Sequence, residues 1–599
     1  MSKISVLPVY PRMPDTFWGF REALKFIKKK SVMPPLGLLT VMSLLPQERF
    51  EAQRVIDLNV EPLTDKQIQS SDLIFTSTMV VQEDSHNEVI DKAHFYGKQV
   101  VAGGPFPTSY PERNQTADFI VAGEAEVTLP GFLEDLVSGN PRRVYTERDV
   151  HPRVQLTKGG KVLLSQTPLP RWDLVDLANY TSAAIQYSRG CPFDCEFCDI
   201  TALYGRESRT KTPEQIIAEL DAVYKTGFRG STFIVDDNFI GNRKELKKLL
   251  PEVIKWQKER GYPFSFYTEG SINLAWPENR SILEEMAQAG FDQVFIGIES
   301  DNPTVLDKMG KKQNTKMPIR ESIRVIQEAG LEVTAGFIVG ADGSSTSEFS
   351  DLFNLIQESG IVVPMPGLLT AIKGTRLYKR LEAEGRLRSD FSGNNTHQLG
   401  FNFTPEGDEK EIISGYKTLL EQLFNPRNYY QRCRVLRDRL GKNYTSTRGA
   451  DFEGARILAR SLSKQLFAPG GLEYAKYLLD TAFKRPSYFP DAVTHAVKLH
   501  HFESITDAML TADEYNPRTE TLFNKFKAKV GRLQHQYAHD LERQRALALK
   551  YGSQIVRKAE RRYNQLHVDF RKGAEKSLYN LRENIQNTLS RFGYTTSQT

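Results

Sequence analysis

The 599-residue sequence predicts an α/β protein in three parts. These are a doubly wound parallel sheet, a parallel (β/α) barrel of six units, and a mostly helical C-terminal region. Three observations predict it. Short apolar runs of strand length alternate with helical segments over residues 1–145 and again over 181–390, which is the pattern of parallel sheets. Three of only four cysteines fall within eight positions, just after the first strand of the second set. Such barrels keep their chemistry at the carboxyl ends of their strands. Past residue 390 the remainder reads as mostly helical.

In the first part, Ile4 to Tyr10 is a mostly apolar run of strand length. Leu38 to Leu45 reads as a helix, shortly after Pro34-Pro35. Further strands are expected at Val55–Leu58, Leu73–Thr76, Val100–Ala102 and Phe119–Ala122. Ligands of such sheets bind at the carboxyl ends of the strands. Here those ends carry Thr76-Ser77-Thr78, Gly103-Gly104-Pro105 and Gly123-Glu124. A dinucleotide needs a glycine-rich phosphate turn after the first strand. Tyr10-Pro11-Arg12 stands there and cannot form it. Residues 146–180 read as a linker, with Pro168 and Pro170 leading into Arg171-Trp172-Asp173.

In the second part, Ile185–Ser188 is the first strand and delivers the cysteine loop. Pro213 to Tyr224 is an amphipathic helix. Thr232–Val235 ends in Asp236-Asp237-Asn238, and Phe264–Tyr267 ends in Thr268-Glu269. Val294–Ile296 ends in Gly297-Ile298-Glu299-Ser300. Val333–Val339 contains Gly336 and ends at Gly340, and Leu368–Thr370 ends near Lys373-Gly374-Thr375.

The cysteines are Cys191, Cys195 and Cys198, spaced C-x3-C-x2-C, with Phe197 before the third. Three thiolates on one loop can hold three irons of a cubane cluster and leave the fourth iron open. Structural zinc is the alternative, but a closed zinc site wants four ligands. The remaining cysteine, Cys433, lies far along the chain between Arg432 and Arg434 with no histidine close by. An odd cluster without a secretory context is not a disulfide framework.

This loop resembles that of the radical S-adenosylmethionine (radical SAM) enzymes, and the six units match their partial barrel. The resemblance implies that Cys191, Cys195 and Cys198 ligate a [4Fe-4S] cluster whose open iron receives the methionyl amine and carboxylate. It implies reductive cleavage of S-adenosylmethionine, with a flavodoxin or ferredoxin as electron donor. Asp236, Asp237 and Asn238 stand where the family often has a Gly-Gly-Glu turn for the methionyl ammonium. Glu269 and Glu299 suit ribose hydroxyls or that ammonium, and Gly336 to Gly340 resembles the segment that packs on adenine.

The N-terminal part resembles the cobalamin-binding domain found upstream of many such barrels. The matching pieces are Tyr10-Pro11, Pro34-Pro35-Leu36-Gly37, Asp57, Ala102-Gly103-Gly104-Pro105 and Gly123-Glu124-Ala125-Glu126. The resemblance places cobalamin against Tyr10, Asp57, Ser77, Gly103, Gly104, Gly123 and Glu124, with the glycines letting backbone approach the ligand closely. Asp84-Ser85-His86 lacks the glycine of the cobalt-ligating D-x-H-x-x-G string and follows the third strand. His86 is therefore expected on a helix surface, and cobalamin without a histidine ligand. Residues 395–440 resemble the post-barrel extension of the hopanoid methylases and tetraether-ring synthases, and that extension is assigned to 391–440. Together these resemblances imply cobalamin-dependent methylation of an unactivated carbon. Radical cyclisation or carbon–carbon coupling, and a non-enzymatic electron carrier, are the alternatives.

A net charge of +5 gives no global case for nucleic acid. No segment looks like a signal peptide, and no apolar run approaches the roughly 18 residues of a membrane span. The expected location is the cytoplasm. From residue 519 onward basic residues outnumber acidic ones by nine, which reads as a solvated helical face or an anionic-partner surface. Phe17, Phe20, Leu24 and Ile27 fall at helical spacing ahead of Lys28-Lys29-Lys30. That segment reads either as a lid helix over the N-terminal domain or as a peripheral contact with the inner membrane surface, and the latter accompanies a hydrophobic or lipid substrate.

Overall fold

The structure is a computed structural model that describes residues 3–345, 347–388, 399–441, 444 and 452–591. The expected start of the post-barrel extension, 391–398, and the segment 445–451 lie outside the described residues.

The first sheet has seven strands: β1 (Ile4–Tyr10), β2 (Phe50–Ala52), β3 (Ile56–Asp57), β4 (Leu73–Ser77), β5 (Gln99–Gly103), β6 (Phe119–Val121) and β7 (Val144–Tyr145). The order is β2-β1-β4-β5-β6-β7, with β3 also paired to β1, and every pairing is parallel. The apolar runs that announce β1, β4, β5 and β6 are buried on both faces, as helix-covered parallel strands require. Leu7, Val9, Ile74 and Val100 pack there against Val89 and Ile90 of the helix Glu83–Phe95. β2 and β7 are short edge strands without a strong apolar signal.

The barrel strands are β8 (Ala183–Ile185), β11 (Gly230–Ile234), β12 (Phe264–Gly270), β13 (Phe291–Glu299), β14 (Glu332–Val339) and β15 (Pro364–Leu368). They pair in sequence order, all parallel, from β8 at one edge to β15 at the other. β8 and β15 do not pair, so the barrel is open. Between β8 and β11 the chain makes a small antiparallel pair, β9 (Ser188–Arg189) with β10 (Arg209–Thr210). The helix Pro213–Lys225 begins with a capping box from Thr212 and Gln215 and with Pro213 in its first turn, then buries Ile216, Leu220 and Val223.

The chain divides into two compact units. One holds the sheet, the barrel and the helices up to residue 501, apart from Asp15–Phe17. The other holds Asp15–Phe17 and the helices from Phe502. Its core is Leu522, Phe526, Val530, Ile555, Leu581 and Ile585 of the helices Tyr515–Gln536, Leu541–Gln565 and Arg571–Arg591.

Two expectations are corrected here. His86 is fully buried in the helix Glu83–Phe95, not on its surface. With Val89, Ile90 and Ala93 it forms the inward stripe at i, i+3, i+4 and i+7. The segment 17–30 is not one amphipathic helix. The helix spans only Arg21–Ile27, because Phe20 and Lys28 at its ends take left-handed backbone. Ala23 and Phe26 pack with Val497 and Ile457 of C-terminal helices rather than covering the N-terminal sheet.

Candidate functional site

The cysteine loop follows β9 at the carboxyl end of the barrel. Cys191, Cys195 and Cys198 are free thiols and half-buried, whereas Cys433 is fully buried elsewhere. Burial raises the Cys191 thiol and pushes Cys198 up to about 12. Both thiols therefore stay protonated until a metal displaces the proton. Side-chain amides point at the sulfurs: Asn238 Nδ2 lies 3.7 Å from Cys191 Sγ, and Gln313 Nε2 lies 3.7 Å from Cys195 Sγ. Burial would lower the Lys311 ammonium, but Glu299 and the nearby thiols outweigh it and raise it. Three thiols flanked by N–H donors and one half-buried cation fit an anionic cluster held by three ligands.

The loop is braced from three sides. Asp236 accepts from the Tyr187 amide at 2.7 Å and from Ser188 Oγ at 2.6 Å, and Asp237 accepts from the Gly190 amide at 2.9 Å. The Glu196 amide donates to Met309 carbonyl at 2.9 Å, and the Leu377 amide donates to Glu196 carbonyl at 2.9 Å. Arg376 pairs with Asp194 at 2.6 Å. Gly310 takes a φ of 70°, and a Cβ there would stand 2.9 Å from the Asp194 carbonyl.

The expected S-adenosylmethionine residues divide accordingly. The carboxylates of Asp236 and Asp237 hold the approach to Cys191 rather than facing an open space, and burial pushes them up to about 7 and about 6. Asn238 faces Cys191 and also accepts from Ser271 at 3.3 Å. Glu299 sits at a bulge with a φ of 66° and is paired to Lys311 at 2.6 Å. The Glu269 carboxyl makes no hydrogen bond among the described residues, and burial, then Asp237 and Asp236, push it up to about 7. Among the described residues it is the acid in this group whose carboxyl has neither an ion-pair nor a hydrogen-bond partner. A Cβ on Gly336 would meet Phe295 at 2.9 Å, and one on Gly340 would meet Phe401 at 2.5 Å. Gly340 thus makes room for the post-barrel segment.

The expected cobalamin residues are also partly committed within the protein. Asp57 accepts from the Asn59 amide at 2.9 Å and from Tyr180 OH at 3.0 Å. Burial first, then Asp57, push the Tyr10 hydroxyl up to about 12. Gly104 has a φ of 95°, and a Cβ there would stand 2.8 Å from the Thr78 amide; one on Gly123 would stand 2.6 Å from Glu147 Cγ. These two glycines let the segments at the sheet's carboxyl edge pack closely on one another. Gly103 has no such crowding, its nearest neighbour being the Val121 carbonyl at 3.5 Å. Ser77 makes no side-chain hydrogen bond, and Thr78 Oγ1 is buried without one among the described residues. The buried, unsatisfied Thr78 hydroxyl at the sheet's carboxyl edge fits a polar cofactor there.

Glu124 contacts the barrel. It pairs with Arg189 at 3.1 Å and with Arg209 at 2.9 Å, while Glu126 pairs with Arg189 at 2.9 Å and accepts from Thr167 at 2.8 Å. Burial would raise Glu126, but Arg189 overrides it and holds the carboxyl down at about 2. Arg189 stands two residues before Cys191, so the N-terminal sheet is fastened beside the cysteine loop. Sequence reading missed Arg189, Arg209, Lys311 and Gln313. Gly310 and the polar run Lys311–Asn314 were the available local signal for the last two.

Residues 26–133 match the B12 binding domain, residues 185–356 the radical SAM superfamily, and residues 375–515 a domain of unknown function, DUF4070. An uncharacterized methyltransferase of Synechocystis sp. is 39% identical over 428 residues, covering 71% of this chain and 77% of that protein. The hopanoid C-2 methylase of Rhodopseudomonas palustris is 34% identical over 432 residues, covering 71% of this chain and 78% of that protein. The solved structure of the cobalamin-dependent S-adenosylmethionine radical enzyme OxsB shares the fold with a TM-score of 0.53 at 14% identity, over 98% of this chain and 84% of that one. The chain belongs to the cobalamin-dependent radical SAM methyltransferases, whose cofactors are a [4Fe-4S] cluster, S-adenosylmethionine and cobalamin.

Proposed function

We propose that this enzyme methylates an unactivated carbon of a large hydrophobic molecule, with Cys191, Cys195 and Cys198 as the cluster ligands. The observation that carries this is the braced trio of half-buried thiols beside an unpaired carboxylate, Glu269. When bound, the cofactors supply the electron, the radical initiator and the methyl carrier. The protein binds, orients and shields. Glu269 receives the methionyl ammonium, as a carboxylate suits a three-donor cation. Lys311 offsets the negative charge of the thiolates, and Glu299 holds Lys311. Asp236 and Asp237 fix the strand end that carries Cys191. Ser77, Thr78 and Gly103 line the cobalamin side, and His86, enclosed in its helix, stays off the cobalt. The domain limits that fit this reading are 1–145, 146–180, 181–390, 391–440 and 441–599.

The hydrophobic substrate is supported by the hopanoid methylase among the relatives. A membrane contact is supported by one helix face. Leu472, Leu479 and Phe483 on the helix Gly471–Lys484 are 68%, 60% and 85% exposed, and Phe467 just before it is 89% exposed. Lys476 and Lys484 lie among them, paired with Glu473 and Asp480 on the same helix, so the apolar side chains carry the argument. Among the described residues no helix is long and apolar enough to cross a membrane. A flavodoxin or ferredoxin is the expected reductant.

The test is anaerobic reconstitution followed by product assays. Wild type and C433A should bind about four irons and C195A should lose them. 5′-Deoxyadenosine together with S-adenosylhomocysteine should appear with the methylated product. Deoxyadenosine without S-adenosylhomocysteine would indicate radical cyclisation or coupling instead, and neither product would indicate an electron carrier.

A further inference from the structure

At the opposite end of the barrel from the cysteines lies a cavity of about 690 Å³. Its inner rim is Ser182, just before β8, Ser231 near the start of β11, and Gln293 near the start of β13. Those are the amino ends of the strands. Its outer wall is apolar, formed by Leu24 and Ile27 of the helix Arg21–Ile27, Leu458 of the helix Phe452–Gln465, and Val493 and Val497 of the helix Phe489–Asp513. The volume lies within the range of small-molecule sites, and the mix of apolar walls with a few polar groups at one end is typical of them.

The cavity reaches the barrel strands. Tyr267 lines it, and its hydroxyl donates to Ser182 Oγ at 3.3 Å. The Tyr267 ring stacks on Phe233 with centroids 4.6 Å apart and planes 9° from parallel. Side chains two apart on a strand share a face, so Glu269 projects into the same lumen about 7 Å nearer the cysteines. The stacked rings therefore stand between the cavity and the unpaired carboxylate. On the cysteine end, Glu124 and Glu126 fasten the N-terminal sheet beside the loop through Arg189 and Arg209. The amino end has no such cover from that sheet.

We propose that this chamber binds the apolar body of the methyl-accepting substrate, which enters the barrel from the amino ends of its strands, with Phe233 and Tyr267 as the partition it meets. The proposal rests on the hydrophobic-substrate reading above. The ligand class is an uncharged polycyclic or isoprenoid hydrocarbon. At most it carries a hydroxyl-sized polar group, which Ser182 and Tyr267 would receive. Asp292, Glu453 and Lys498 also line the cavity, but apolar residues outnumber them, and a ligand charged along its body would lose hydration against those walls.

The experiment uses the full chain, anaerobically reconstituted, with Nile red as the probe and squalane as the competitor. Wild type should bind Nile red saturably and release it to squalane. V493W and S231F fill the chamber from opposite walls, and each should weaken binding at least tenfold while retaining iron and cobalamin. No saturable binding by wild type, or wild-type binding by iron-replete V493W and S231F, would overturn the proposal. If either variant loses iron, L458A, which enlarges the chamber, must change Nile red affinity at least threefold; an unchanged affinity overturns it equally. Incubation with lipid extracts separates the two readings. Probe binding that the filling variants abolish, with no lipid methylated by wild type, leaves the chamber standing and removes the hydrophobic substrate.

Discussion

Replacing Glu126 by Gln should loosen the N-terminal sheet from the cysteine loop by about 3 kcal/mol. Glu126 is 6% exposed and faces Arg189 at 2.9 Å. Its carboxyl is held at about 2, against an ordinary 4.5. At 1.36 kcal/mol per unit, that preference for the charged form is worth about 3 kcal/mol. Removing one partner of a buried pair costs about 3–5 kcal/mol when the other charge is orphaned, whereas Arg189 keeps Glu124 at 3.1 Å. Gln keeps one acceptor for Thr167 and Arg189, which places the loss at the lower end. An opening equilibrium would rise roughly 150-fold. Hydrogen exchange of the amides of β9 and β10 should report it, since local opening exposes them. The sign with pH follows from a depressed carboxyl. The contribution is full above pH 4.5 and is lost as pH falls through about 2, so wild type and E126Q should converge in acid. A rise in exchange of less than about fivefold at pH 7 would refute the reasoning, since it corresponds to less than about 1 kcal/mol. The double variant E126L/R189M, which removes both charges, should recover much of the loss.

Two further outcomes are expected. S-adenosylmethionine affinity should rise as pH passes upward through about 7 and Glu269 ionises, and E269Q should lose that dependence and bind about tenfold more weakly, as equilibrium dialysis would show. G104A should lose about 2 kcal/mol or more of N-terminal sheet stability, because its φ of 95° is strained for alanine and its Cβ would press on the Thr78 amide; unchanged exchange protection across β4 and β5 would contradict this.

The parts legible in the sequence are those fixed by local pattern. Apolar runs such as Leu73–Thr76 and Val100–Ala102 mark buried parallel strands, and the cysteine spacing marks its own chemistry. The parts that escaped depend on distance. Nothing near Arg189 signals that it meets Glu124 and Glu126 some sixty positions earlier. Nothing near Asp236 shows that its oxygens go to Tyr187 and Ser188 rather than to a ligand. His86 was a different failure. The polar run Asp84–Glu88 suggests a surface, yet the spacing from His86 to Val89, Ile90 and Ala93 carries the inward stripe. The segment 17–30 shows the limit of periodicity, which cannot see that Phe20 and Lys28 break the helix at both ends.

The bracing of the cysteine loop bears on how the enzyme survives oxygen. Asp237 on Gly190, Met309 on Glu196 and Arg376 on Asp194 are contacts of protein with protein, so none of this bracing is routed through iron. The ordering entropy that a slack loop would lose on metal uptake has already been spent during folding. A loop braced this way is expected to hold its three thiols in order when the cluster is lost, and hydrogen exchange of the Gly190 and Glu196 amides in iron-stripped protein would check it. On that expectation, repair needs iron and sulfide delivered to standing ligands and no refolding step.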